Sequence, residues 1–266
     1  MLIDCHAHFY TERSARADWR EVNAARLAAG AIIGITAHVA SILGSWGRES
    51  PVYFPSPDDV RQANDAMLAL TREHAGLVFG YCVVNPNYTD HALAEIARGL
   101  DAGLIGVKLA ASRRADDPLL DPIADAAGRH GVPILHHIWQ HRRHDWPHQE
   151  ASDAVELVRL AERHPRTHFL LAHIGGGGDW AHSLRVVRDV PNVHVDLSGS
   201  GVDSGMLEQT LEAVGAGRMV WGADVTLDTG LAKLRYLERL GLSPEDVEAI
   251  RCGNAQRLFP DGVFGA

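Results

Sequence analysis

Residues 2–9 read LIDCHAHF, a short apolar start followed by His6 and His8 with one alanine between them. Alone, the pair fits either a charged chain end or half of a metal site. In a β-strand, residues i and i+2 point to the same side, so a strand here aims both imidazoles in one direction. Seven further apolar runs follow: AIIGITA (31–37), LVFGYCVV (77–84), LIGVKL (104–109), VPILHH (132–137), HFLLAH (168–173), VHVDL (193–197) and RMVWGAD (218–224). Stretches with helical i, i+3, i+4 apolar spacing lie between them. SPDDVRQANDAMLALTREH (56–74) opens on capping residues, TDHALAEIARGLDAG (89–103) stops at glycine, and DPLLDPIADAAGRHG (117–131) and EASDAVELVRLAERHP (150–165) are built alike.

The pattern is a βα unit repeated eight times, and near-continuous apolar strands indicate burial on both faces, as parallel strands require. In 266 residues this predicts a distorted (β/α)8 TIM barrel of parallel strands, forming a single domain over residues 1–266. The competing doubly wound sheet lacks a G-x-G-x-x-G after the first strand.

Composition narrows the function. The chain is 46% hydrophobic and 22% charged with a net charge of −9, and its nearest approach to a basic run, QHRRHDW, carries an aspartate. Nucleic-acid and anionic-membrane binding are therefore not expected. Three dispersed cysteines suit neither a disulfide framework nor a cysteine zinc site. Asp4 and His6 interrupt any signal-peptide core, so the expected location is cytoplasmic. The run AAGAIIGITAHVASILG from Ala28 is interrupted by Thr36, His38 and Ser41 and reads better as helix end, strand and loop than as a membrane span.

Active residues of such a barrel sit at the C-terminal ends of its strands. Those ends carry His6 and His8, Lys108, His137, His173 and Asp224. Each alone has an ordinary explanation: a chance H-x-H among sixteen histidines, a strand-end hydrogen bond, a turn, a salt bridge. Together they would bring imidazoles and a carboxylate to one mouth, a donor set that suits one divalent ion, with Zn²⁺ the default and Mn²⁺ or Fe²⁺ the alternatives. Such an ion would lower the pKa of a bound water to roughly 7.

The stretches IDCHAHF, GVKL, GVPILHH, FLLAHIGGG, NVHVDLSG, VWGAD and GNAQRLF, in this order from Ile3 to Phe259, resemble the metal-dependent amidohydrolase superfamily. The likeness is to its amidohydrolase-2 branch, which includes aminocarboxymuconate-semialdehyde decarboxylase-like enzymes. The resemblance implies metal ligation by His6, His8, His137 and Asp224, with His173 as a catalytic imidazole beside the metal water. It places the fifth-strand ligand four residues after Pro133, at His137, and alternation then turns His136 toward the helical layer. For Lys108 it implies either contact with a substrate carboxylate or neighbouring acid, or a carbamate bridging two metals; a second metal is not expected. GAD stands where the branch more often has Gly-Ser-Asp.

The loop IWQHRRHDWPHQE (138–150) follows strand five, and SRR (112–114) follows strand four. Both should border the mouth, which makes Trp139, Arg113 and Arg142 candidate substrate contacts beside Lys108, alternatives to a solvated polar loop. Their cations hint at a small anionic substrate. The run GGGG (175–178) lacks the Lys and Ser/Thr of a P-loop and instead gives the sixth-strand loop room. The leading expectation is hydrolysis of a small amide, lactone or ester, with His173 or Asp224 shuttling the proton. The alternatives are non-oxidative decarboxylation of an unsaturated or aromatic acid, and a catalytically inactive metal-binding barrel. Homo-oligomers are common among such barrels, but nothing in the sequence specifies an interface.

Overall fold

A computed structural model describes the chain except residues 15, 44–52, 141–147, 177–178 and 266. Eight parallel strands follow one another around a nearly closed barrel in chain order. They are β1 (Ile3–His8), β2 (Ala37–Ser41), β3 (Val78–Val84), β4 (Gly106–Leu109), β5 (Ile134–His136), β6 (Phe169–Leu171), β7 (Val193–Asp196) and β8 (Met219–Val220). The helices between and after them are α1 (Trp19–Ile33), α2 (Pro57–Glu73), α3 (Thr89–Asp101), α4 (Asp121–His130), α5 (Ala154–Arg163), α6 (Trp180–Val187), α7 (Met206–Val214) and α8 (Leu227–Leu237). This is the expected (β/α)8 architecture. Among the described residues, no helix is long and apolar enough to cross a membrane.

Local chemistry accounts for the elements. α2 starts where Ser56 accepts from Asp59 N while the Asp59 carboxylate reaches back to Ser56 N, with Pro57 at the first helical position. α5 has the same reciprocal arrangement between Asp153 and Glu156. The second strand differs from its expected span of 31–37. Residues 31–33 instead form the last turn of α1, which Gly34 ends at φ 86° while its N–H bonds to helix carbonyls. An apolar run of this length cannot distinguish helix end from strand by periodicity. Ile32 is left 86% exposed, as the outer face of a helix allows and an interior strand would not.

The buried apolar residues sort into two layers by strand parity. Ile3, Cys5, Val39, Tyr81, Leu135, Leu170, Ala172 and Val220 form one cluster, to which α1–α8 contribute nothing; this is the barrel interior. Cys252, Leu258 and Phe259 join it. They come from the C-terminal segment that closes the barrel's N-terminal end, where the Phe259 ring lies 5.8 Å from Tyr81. The other cluster includes Val107, Leu109, Ile134, Phe169, Leu171 and Trp221 and packs against the helices.

β1 breaks the alternation. Asp4 pairs with His38 and Ala7 with Ala40, so three steps on β1 face two on β2. This one-residue bulge lets Cys5 and His6 both face inward. Without it, Ile3 and Cys5 in the interior would send His6 and His8 outward.

At the opposite end from the strand termini, His194 Nε2 lies 3.1 Å from His168 Nδ1. Burial, then the neighbouring His168, Arg218 and Arg257, bring His194 down to about 3. It is neutral in the fold and takes a proton on unfolding, so its contribution is complete above its unfolded pKa of about 6.5 and is lost as pH falls toward 3. In metal-free protein the slope of stability against pH across this window should flatten in His194→Gln, by up to about 5 kcal/mol over the full range. Urea midpoints at pH 7 and pH 4.5 check it; equal slopes for parent and variant would refute it.

Candidate metal centre

The C-terminal strand ends bring the expected side chains together. His6 and His8 stand on β1. His137 follows β5, its N–H bonded to Leu109 O at 2.9 Å. It has the parity of inward-facing Leu135, whereas His136 shares the parity of Ile134 and Ile138 in the helix-facing layer. Asp224 follows β8 and is bonded through its N–H to His6 O at 2.6 Å.

His173 is the exception to strand parity. Leu171 faces the helices and Ala172 the interior, so alternation would turn His173 outward. The backbone instead enters the left-handed region at φ 59°, and Asp224 does the same at φ 54°. Such conformations cost on the order of 1–3 kcal/mol each. Here they bring both side chains over the barrel mouth. Gly176 makes the first turn feasible, because a Cβ there would lie 2.5 Å from His173 Cβ.

The distances describe one cluster. His8 Nε2 is 3.2 Å from His6 Nε2 and 3.2 Å from Asp224 Oδ1. His6 Nε2 is 3.9 Å from Asp224 Oδ1, and His173 Nε2 is 3.7 Å from Asp224 Oδ2. Donor atoms of His6, His173 and Asp224 all lie within 4.8 Å of one another. The His137 ring packs edge-on against His173 with centroids 4.6 Å apart.

The other face of each imidazole is pinned by an acceptor. His6 Nδ1 meets Asp196 Oδ2 at 2.7 Å, His8 Nδ1 meets Ser41 O at 3.3 Å, and His173 Nδ1 meets Ile138 O at 3.2 Å. Carboxylate and carbonyl oxygens only accept, so Nδ1 carries the proton and Nε2 presents its lone pair. Three lone pairs therefore converge on one carboxylate, and among the described residues neither His137 Nε2 nor His136 Nε2, both buried, has a hydrogen-bond partner. Nitrogen and carboxylate donors in this disposition fit a divalent cation of intermediate hardness.

The electrostatics agree. Burial, then the Lys108 ammonium, holds His6 well below the imidazole range; burial, then His173, does the same for His137. Burial also lowers His173. Burial alone would raise Asp224, but the imidazoles packed around it, His8 first and then His173 and His6, carry it well below the usual carboxylate range. His6, His137 and His173 are thus disfavoured as cations while Asp224 is held ionised, the protonation states a metal requires of such groups.

Lys108 is fully buried, with Nζ 3.1 Å from His6 Nε2, and burial brings it down to about 8 against the pull of Asp224 and Asp196. Trp139 lines a cavity of about 280 Å³ over the cluster, together with His8, Tyr53, His137, His173 and Asp224. The ring centroid of Tyr53 is 6.2 Å from Trp139 and 5.8 Å from His137, making one aromatic wall. Arg113 is occupied by Asp117 at 3.1 Å and Glu150 at 3.5 Å and is not among the residues lining this cavity. Arg142 lies outside the described residues.

Several site residues were not anticipated from the sequence. Asp196 accepts from His6 Nδ1, from His173 N at 3.3 Å and from the Ser198 hydroxyl, so one carboxylate orients two imidazole-bearing segments. Burial raises it, with the Ser198 bond acting against that shift. Its signal was present, since it ends the VHVD run at the same strand position as the other site residues. Ser41, Tyr53, Asp4 and Arg26 had no comparable signal.

A family model described as amidohydrolase matches residues 3–260. No curated protein sequence matches the chain. Similar solved structures include 5-carboxyvanillate decarboxylase from Sphingomonas paucimobilis, 18% identical, covering 97% of this chain and 98% of that one with a TM-score of 0.72. 2,6-Dihydroxybenzoate decarboxylase from Rhizobium is also 18% identical, covering 97% and 98% with a TM-score of 0.74. Dihydroxybenzoic acid decarboxylase from Polaromonas sp. JS666, with bound manganese and 2-nitroresorcinol, is 17% identical and covers 97% and 96% with a TM-score of 0.76.

Proposed function

The chain belongs to the amidohydrolase family of metal-dependent enzymes, and from that premise we propose that it removes CO2 non-oxidatively from a small aromatic carboxylic acid. The observation that carries this reading is the aromatic wall of Tyr53, His137 and Trp139 over a cluster of lone-pair imidazoles and one carboxylate, in a cavity of about 280 Å³. That volume lies at the small end of ligand sites and suits one substituted ring. Decarboxylases of hydroxylated aromatic acids among the similar structures, two with bound manganese, support the same reading. The hydrolysis of an amide, lactone or ester, the leading expectation from the sequence, has support only from the family's description.

In this proposal His6, His8, His137 and Asp224 hold one divalent cation, Mn²⁺ by analogy with those structures or Zn²⁺ by donor type. When bound, the cation supplies Lewis-acid stabilisation of oxygen-centred negative charge. His173 handles the proton. Its Nδ1–H is committed to Ile138 O, so Nε2 takes a proton from a substrate hydroxyl or solvent and delivers it to the ring carbon. The carbon–carboxylate bond breaks, its electron pair stays on that carbon, and the proton fills the position CO2 leaves. Lys108, beneath His6, supplies positive charge near the cluster. Trp139 and Tyr53 hold the ring plane.

The deciding experiment supplies Mn²⁺-loaded enzyme with a panel of hydroxybenzoates and a matched panel of lactones and amides. CO2 release with formation of the corresponding phenol is expected; acid formation from the second panel without CO2 would reverse the assignment. On the best substrate, Trp139→Ala should raise KM about tenfold, the scale of one aromatic contact, with a smaller change in kcat. An unchanged KM would remove Trp139 from the binding wall.

A further inference from the structure

The barrel closes between β8 and β1, where an irregular seam replaces a regular ladder. Cys5 N donates to Trp221 O at 3.0 Å, Asp224 N donates to His6 O, and Ala7 and Asp224 form an isolated bridge. Between these bonds sits a buried ion pair. Arg26 of α1, 8% exposed, donates through Nη2 to the fully buried Asp4 carboxylate at 2.7 Å. Its Nη1 donates to the carbonyl of Asp224. The other Asp4 oxygen accepts from Ala223 N at 3.0 Å and His6 N at 3.2 Å, and His38 Nδ1 approaches Oδ2 at 3.2 Å.

We infer that Asp4 and Arg26 form a positioning clip that holds the β1 histidines and Asp224 at metal-binding separation. Apart from His38, each group the pair bonds is backbone of His6, Ala223 or Asp224. The clip therefore grips both sides of the seam at the residues that present the donors. It also supplies partners that the bulge and the left-handed turn leave without a ladder: the His6 amide emerging from the bulge and the Asp224 carbonyl beyond the φ 54° turn.

Stability alone is a poor reason for such a pair. A buried ion pair seldom outperforms well-packed apolar residues, because the desolvation of two charges offsets their attraction. Arginine's planar fork suits the task, since it reaches a carboxylate and a carbonyl together, whereas a lysine ammonium is a single point charge. The clip rests on the reading of His6, His8 and Asp224 as ligands.

The test titrates metal-free protein with Mn²⁺, following free ion by electron paramagnetic resonance, for the parent, Arg26→Lys, Arg26→Met, Asp4→Asn and Asp224→Asn. Thermal unfolding of each metal-free variant measures the fold separately. Arg26→Lys and Arg26→Met should bind Mn²⁺ about 10–100-fold more weakly, the effect typical of residues that orient ligands, even with the comparison confined to variants that remain folded. If Arg26→Met does not fold, Arg26→Lys and Asp4→Asn carry the comparison. Parental affinity in the Arg26 variants, with binding lost in Asp224→Asn, overturns the clip. Parental affinity in Asp224→Asn overturns the ligand reading instead.

Discussion

Asp224→Asn should lose bound metal and about a thousandfold or more in kcat/KM, some 4 kcal/mol of transition-state stabilisation. Asp224 is the carboxylate on which the Nε2 atoms of His6, His8 and His173 converge, at 3.9, 3.2 and 3.7 Å. The amide keeps the side chain's shape but removes the charge that offsets a divalent cation. It also introduces an N–H₂ donor facing those lone pairs. Metal content of purified protein, measured beside turnover, checks the prediction. The same assay separates the two histidines at the end of β5. His137→Ala should empty the site because His137 shares the inward parity of Leu135 and its ring packs against His173 at 4.6 Å. His136→Ala should retain metal, because His136 shares the parity of the helix-facing layer. The reverse result would move the fifth-strand ligand to His136, and full metal in Asp224→Asn would remove the carboxylate from the centre.

The second large effect concerns His173. His173→Ala should reduce kcat by about 10²–10⁴, the range of a positioned general acid or base, while metal affinity changes by only a few fold. His173 Nε2 lies 3.7 Å from Asp224 Oδ2 and its ring stacks 4.9 Å from His6, so it reaches the same space as the ligand set. Its conformation is held independently, by Ile138 O on Nδ1 and by Asp196 on its backbone N–H. The result discriminates between roles. Loss of turnover with metal retained assigns proton transfer, whereas loss of both makes His173 a ligand. A small loss of turnover would place the proton-handling group elsewhere.

Both predictions concern residues visible in the sequence, and the reason is local. A Ser-Pro-Asp-Asp start, an apolar run between glycine stops and histidines at run ends each report on a few neighbouring residues. Such features sufficed for the repeated βα pattern and for placing His6, His8, His137, His173 and Asp224 near strand ends, while the preference for His137 over His136 came from the family resemblance. They were insufficient at α1, where residues 31–33 could continue a helix or begin a strand and Gly34 decided the matter.

The arrangement of those side chains was decided elsewhere. Simple alternation would have aimed His6 and His8 correctly only for a strand of the opposite phase; the bulge against β2 supplies the phase. Alternation would have turned His173 away, and a left-handed turn beside Gly176 restores it. Arg26 and Asp224 are separated by 198 positions and His6 and Asp196 by 190, so no window of sequence contains either bond. The sequence by itself determined a barrel with a histidine or aspartate at the ends of strands one, five, six and eight. Only the tertiary structure decided where the donors point, because bulges, positive-φ turns and buried carboxylates take their meaning from the strand that lies opposite.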